Sequence, residues 1–355
     1  MKNLKWAVSI FFCLLVCISS LNAYSQNFDQ SVRKYISDSA KIIAFVDATV
    51  IDGTGNPSKS HQTIIIDNGI IVKYGKAQDI KVPKMASVIN CTGKTIIPGM
   101  VKLHEHLFYT IKMGAMANFA EMPYSFPRMY LAGGATTIRT AGSIEPQADL
   151  TIKSLINEGI LIGPDIDVTA PYIERKGWEI PAFFEVKDSA EAAIMVNFWA
   201  DRGCTSFKLY VFATKEDMIA VIREAHKRKL KVTGHLGTIT YQEAAESGID
   251  NLEHGFMASY DFDHLRSKEG FDFEKSINAL GDLDTSSAEM QKLIHLLIKK
   301  NVALTSTLPV IKPCTNSEIV LGGGDSALLP EVMKLVEARW KRIQNNDSDE
   351  VKLFK

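Results

Sequence analysis

Between residues 41 and 97 the apolar positions come in short β-branched runs broken by turn residues. Ile42–Val50, Thr63–Asp67 and Ile70–Tyr74 read as strands. The breaks are Asp52-Gly53-Thr54-Gly55-Asn56-Pro57 and Asp67-Asn68-Gly69. The second is a hairpin signal, because Asn-Gly tolerates the positive φ of a type I′ turn. The pattern predicts a small sheet or sandwich.

From residue 98 the texture changes to strand followed by helix. Strand candidates are Met100–His106, Ala135–Thr140, Asp165–Ala170, Thr205–Val211, Lys231–Leu236, Asn251–His254 and Val302–Leu308. Helix candidates include 188–202, 215–229, 240–247, 286–300 and 327–344. In 215–229, Thr214 and Asp217 make a capping box ahead of Met218, Ile219, Ile222 and Ala225. Repeated βα units predict an α/β protein with a parallel sheet, and seven in succession predict a (β/α)8-type TIM barrel over 98–355 behind a β-sandwich segment at 26–97. The tail from Asn345 to Lys355 is polar and too short for an eighth unit, so the expected barrel is incomplete, with dimer-prone open edges and a possible homo-oligomer as the consequence.

Residues 1–25 read as a signal peptide. Lys2 and Lys5 precede an apolar stretch from Trp6 to Ile18, and Ala23-Tyr24-Ser25 places small residues at the cleavage positions. The alternative is an N-terminal anchor. Leu-Leu-Val before Cys17 is a poor lipid-attachment context. Export to the periplasm or the medium is the expectation. Losing the two lysines takes the formal charge from −1 to −3, which attracts neither nucleic acid nor anionic lipid. Cys91, Cys204 and Cys314 are odd in number and lack CxxC spacing, so no disulfide framework is expected.

The chemistry is concentrated at strand ends. In His104-Glu105-His106 a strand sends residues i and i+2 to one face, so two imidazoles project together and can share a metal ion. Lys208, His235 and His254 each lie in or at the end of a later strand run. Barrel enzymes carry their catalytic groups at the C-terminal ends of strands, and all five residues obey that rule. Alternation puts Tyr210 on the face of Lys208, where it could bind a substrate carboxylate or oxyanion. His61, His226, His264 and His295 read as solvated surface groups.

These motifs resemble the metal-dependent amidohydrolase superfamily, in its imidazolonepropionase-like branch. Val50-Ile51-Asp52-Gly53-Thr54-Gly55 and Asp67-Asn68-Gly69-Ile70-Ile71 are similar to its first sandwich strands. Pro98-Gly99 before His104-Glu105-His106 resembles its opening metal motif. Gly134-Ala135-Thr136-Thr137-Ile138-Arg139 resembles its second strand and Ile162-Gly163-Pro164 the turn before its third. Lys208, Gly234-His235 and Glu253-His254-Gly255 match its next ligand positions. The resemblance implies one or two divalent ions, zinc above all. His104 and His106 would hold the more buried ion, His235 and His254 the second, and carboxylated Lys208 would bridge them. It also implies hydrolysis of a C–N bond, in a cyclic amide or small peptide, by a hydroxide bridging the ions, with Lys208 and His254 as catalytic groups.

Two positions depart from the family pattern. Lys102 stands where an Asp is usual, and alternation places it on the face of the two histidines, where a buried cation would need an acidic partner. The family's eighth-strand Asp has no counterpart, and Asp325 in Gly322-Gly323-Gly324-Asp325 is a weak substitute. The competing readings are a truncated remnant that retains metal binding, and a metal-independent barrel whose histidines are rim groups.

Overall fold

The computed structural model describes residues 28–113, 116–177, 183–262 and 284–308, together with Lys334, Ala338 and Lys341. The segments assigned to the signal peptide, Cys314, Asp325 and most of helix candidate 327–344 lie outside the described residues. The chain divides into two compact units: Met1–Gly99 with Asn157–Leu161, and Met100–Ile156 with Ile162–Lys355.

In the first unit the β-branched runs form a mixed sheet. β1 (Ile42–Val50) pairs antiparallel with β2 (Lys59–Asp67), which pairs antiparallel with β3 (Ile70–Lys76). The β2–β3 turn has Asn68 at φ 49° and Gly69 at φ 78°, the paired positive angles that favour Asn-Gly there. β4 (Ser87–Asn90) and β5 (Thr95–Ile96) run parallel to β1. Ala48, Val50, Ile64 and Cys91 form the buried core of this sheet, with Phe45, Ile66, Ile89 and Ile96 packed against it. Among the described residues the unit has one sheet, and no second layer of a sandwich is seen.

The second unit carries the βα repeats. β6 (Met100–Glu105), β9 (Ala135–Thr140) and β10 (Asp165–Asp167) form one parallel sheet. β11 (Thr169–Ile173), β12 (Ser206–Leu209), β13 (Lys231–Gly234), β14 (Asn251–Glu253) and β15 (Ala303–Thr305) form another. Only Val168 separates β10 from β11, so that segment joins both sheets and the parallel strands follow chain order, as in a TIM barrel. Among the described residues β6 pairs only with β9, and β15 only with β14. An antiparallel hairpin, β7 (Phe108–Met113) with β8 (Met116–Glu121), follows β6 and was not expected from the sequence.

Seven helices punctuate the chain among the described residues: α1 (Gln30–Arg33), α2 (Ser125–Ala132), α3 (Pro146–Asn157), α4 (Ser189–Ala200), α5 (Lys215–Lys227), α6 (Tyr241–Ser247) and α7 (Ala288–Lys300). The capping box of Thr214 and Asp217 is formed, and α6 starts on a second one, Thr240 with Glu243. α7 ends at Asn301 in the left-handed region. The sheet residues Ile138, Ile173, Phe207, Leu209, Val232 and Leu252 are fully buried. Burying each such side chain contributes roughly 1.5–3 kcal/mol, so this layer fixes where the strand ends point.

Candidate metal centre

The site is built where the parallel strands end. His104 lies near the end of β6 and His106 just beyond it. Lys208 lies within β12, His235 follows β13 and His254 follows β14. The rings form a continuous chain: His106 to His104 at 5.3 Å between centroids, His104 to His254 at 4.7 Å, His254 to His235 at 4.4 Å, and His235 to Tyr210 at 5.0 Å. Lys208 is 1% exposed. Its Nζ lies 5.3 Å from the Tyr172 ring centroid and 5.7 Å from that of Tyr210, and donates to the Ala141 carbonyl at 2.8 Å.

The histidines are oriented through Nδ1. His104 Nδ1 lies 2.7 Å from Glu253 Oε2, His106 Nδ1 lies 3.3 Å from the Gly142 carbonyl, and His254 Nδ1 lies 3.0 Å from Thr307 Oγ1. Donation from Nδ1–H to the carboxylate and to the carbonyl leaves Nε2 of His104 and His106 with a lone pair. Gly142 has φ +95°, and a Cβ there would meet the Tyr172 ring at 2.5 Å, so only glycine lets this carbonyl reach His106 without moving Tyr172.

Glu253 is the anchor. It is fully buried, and its carboxylate accepts from Arg139 Nη2 at 2.7 Å, Thr233 Oγ1 at 2.5 Å and Asn251 Nδ2 at 3.1 Å besides facing His104. Arg139 also donates to the Leu103 carbonyl at 2.8 Å, which ties β9 to β6. Although burial alone would raise it, the hydrogen bond from His104 and the cations Lys208 and Arg139 hold the Glu253 carboxyl far below the usual range.

Burial has the opposite consequence for the bases. It pushes His106 and His235 down to about 3, helped by the neighbouring Lys208 and His104. His254 is lowered by burial and by His235, and His104 by burial against the pull of Glu253. Lys208 is lowered to about 8 by burial, with Glu253 resisting and Arg139 assisting. At neutral pH the site therefore holds four neutral imidazoles and an amine that is partly uncharged.

That donor set fits divalent ions. Neutral imidazole nitrogen is a zinc ligand, and an uncharged buried amine can take up carbon dioxide to become an anionic oxygen donor. Lys208 as an ammonium has three N–H donors and one carbonyl acceptor here. Among the described residues, no three His, Cys, Asp or Glu side chains are placed to hold one ion together.

One expected placement is corrected. Lys102 is not a buried cation on the histidine face. Its side chain is 41% exposed and its Nζ lies 3.5 Å from Glu105 Oε1. The β6–β9 register shifts between Lys102 and Glu105, and that irregularity breaks the two-residue alternation. Glu253, Arg139 and Tyr172 belong to the site although the sequence reading gave them no role there. His61, His226 and His295 are surface groups, and His61 and His226 pair with Asp47 and Asp250. His264 lies outside the described residues. Cys91 and Cys204 are free buried thiols. Among the described residues, no helix is long and apolar enough to cross a membrane.

No family model matches the chain. A 5-methylthioadenosine/S-adenosylhomocysteine deaminase from Bacillus cereus is 24% identical over 218 residues, which cover 57% of this chain and 43% of that protein. The chain thus spans less than half the length of the curated relatives it matches. Among solved structures, the bottromycin amidohydrolase superposes with a TM-score of 0.62 at 16% identity, covering 92% of this chain and 66% of that one. The ochratoxinase of A. niger gives 0.54 at 16%, covering 89% and 73%. These structures share the fold.

Proposed function

We propose that this chain is a member of the amidohydrolase superfamily and a metal-dependent hydrolase that cleaves a C–N bond. The observation that carries the reading is a cluster of four part-buried imidazoles, all with lowered proton affinity, around the fully buried Lys208 at the ends of four parallel strands. His104 and His106 would hold one divalent ion and His235 and His254 a second, with zinc suiting the nitrogen donors. The carbamate of Lys208 would span the two. Ions held there would supply Lewis acidity toward a carbonyl and a nucleophile at neutral pH.

The chain's own residues supply the rest. Glu253 fixes the ring of His104. Burial keeps His106 and His235 from competing for protons with any ligand at neutral pH. Tyr210 is pushed up to about 12 by burial and by Glu174, so its hydroxyl keeps its proton and can donate to a carboxylate or oxyanion. Lys208 and His254 are the groups assigned to catalysis. The substrate class is a cyclic amide or small peptide, handled outside the cytoplasm after export, with no nucleic-acid partner and with homo-oligomer formation as a further expectation.

The test is amine release from a panel of dipeptides and cyclic amides by the zinc-loaded chain. Lys208→Ala should lose at least one ion and turnover together, by about 10²-fold or more, and formate or acetate should restore part of both. Full metal occupancy and an unchanged rate in Lys208→Ala would overturn the assignment.

A further inference from the structure

Tyr172, whose ring neighbours Lys208, also lines a cavity of about 420 Å³. It is bounded by the loop from Ser143 to Gln147, by Tyr172 and Phe183, and by one side of α4. We propose that it binds a hydrophobic organic amine: an ammonium group carried on an aromatic or branched aliphatic body. The proposal does not rest on the hydrolase reading.

Shape and lining give the hydrophobic half. The volume is that of a small-molecule site. Tyr172, Phe183, Phe184, Phe198 and Trp199 supply aromatic walls. Tyr172 and Phe183 stack at 4.9 Å between centroids with an interplanar angle of 28°. α4 reads Ser-Ala-Glu-Ala-Ala-Ile-Met-Val-Asn-Phe-Trp-Ala, apolar on most of its circumference, and Ile194 and Phe198 stay exposed at the cavity. Aromatic faces carry negative potential and favour cations. Phe198 already shows this preference, with the Arg202 guanidinium 3.3 Å from its centroid.

Charge gives the amine half. The lining holds two ionisable acids, Glu145 and Glu191, and no Lys, Arg or His. Glu191 accepts from the Lys187 backbone N–H through one oxygen. Behind the wall, Ser143 donates to Asp149 Oδ2, while Asp149 Oδ1 is buried without a partner in a residue 1% exposed. Both carboxylate oxygens of Glu121 are likewise buried and unpartnered. Burial, with Asp149 and Glu145 assisting, raises the Glu121 carboxyl, so these three acids lie close enough to feel one another. A cation entering the cavity is attracted by the Glu145 and Glu191 carboxylates of its lining, and an anion is repelled by them.

The test uses the full chain and calorimetric titration with phenethylamine, its uncharged alcohol analogue and 3-phenylpropionate. The amine should bind, the alcohol should bind at least about fivefold more weakly, and the acid should give no heat of binding. Glu145→Gln, at an exposed position, should weaken the amine about fivefold. The His104→Ala/His106→Ala variant should bind it unchanged, which separates this cavity from the metal centre whether or not the chain hydrolyses anything. No amine binding up to about 10 mM, equal binding of acid or alcohol, an unaltered affinity in Glu145→Gln, or loss of binding in the double-histidine variant would each overturn the proposal.

Discussion

Glu253 and Asp149 are both almost completely buried in the second unit, at 0% and 1% exposure, yet their carboxyls move in opposite directions. Glu253 meets Arg139, His104, Thr233 and Asn251, and it is held ionised far below the usual range. Asp149 has one serine on one oxygen and nothing on the other, and burial pushes it up to about 7. Partners, not depth, set the charge of a buried acid. The first arrangement makes a rigid anion that orients the His104 imidazole, and the second leaves a proton-holding carboxyl beside a cavity.

Breaking the first arrangement should have the largest effect. Glu253→Ala leaves the Arg139 cation buried without its carboxylate and frees the His104 ring. Removing one member of such a pair costs about 3–5 kcal/mol, read as a lower denaturation midpoint. Loss of the group that orients a ligand should also weaken zinc binding about 10–100-fold. Stability and zinc affinity equal to wild type would mean that Glu253 is a spectator.

An intermediate effect is expected at the boundary between the regions. Gly142→Ala forces a Cβ against Tyr172 and places alanine at φ +95°. A loss of about 1–3 kcal/mol is expected, accompanied by a change in the near-ultraviolet dichroism of the tyrosine cluster. A variant with unchanged spectrum and stability would show that Tyr172 has room to move.

The smallest effect sharpens the comparison through pH. Asp149 is raised from 3.8 to about 7 and Glu121 from 4.5 to about 8. The folded chain holds these protons more tightly than the unfolded one, so their contribution is complete below about pH 4 and is lost as pH rises toward 7–8. Glu253 has the opposite sign, because its contribution is lost as pH falls below about 4.5. The lowered imidazoles also destabilise the fold on acidification below about 6.5, so differences from wild type are the useful quantity. Asp149→Asn and Glu121→Gln should gain stability relative to wild type between pH 5 and pH 8. A difference that does not grow with pH would contradict the unpartnered assignment.

Much of this was legible in the sequence. The strand ends bearing His104, His106, Lys208, His235 and His254 follow from βα alternation and from polar residues closing apolar runs. Glu253 was hidden by the same rule, since alternation sends it away from His254. The strand ends at Glu253, and His254 turns into the left-handed region at φ 67°, so both residues reach His104. The second arm of the hairpin, Met116-Ala117-Asn118-Phe119-Ala120-Glu121, has weak strand propensity and is defined by pairing with Phe108–Met113. β4 and β5 escaped because runs of four and two residues carry too little periodicity to read.

The central claim is that the strand-end imidazoles form a metal centre. The most direct measurement is the zinc content of the purified chain after dialysis against a limiting zinc buffer, beside His104→Ala/His106→Ala handled identically. About one to two equivalents in the wild type and loss of the tighter site in the variant are expected. Equal zinc in both proteins would contradict it.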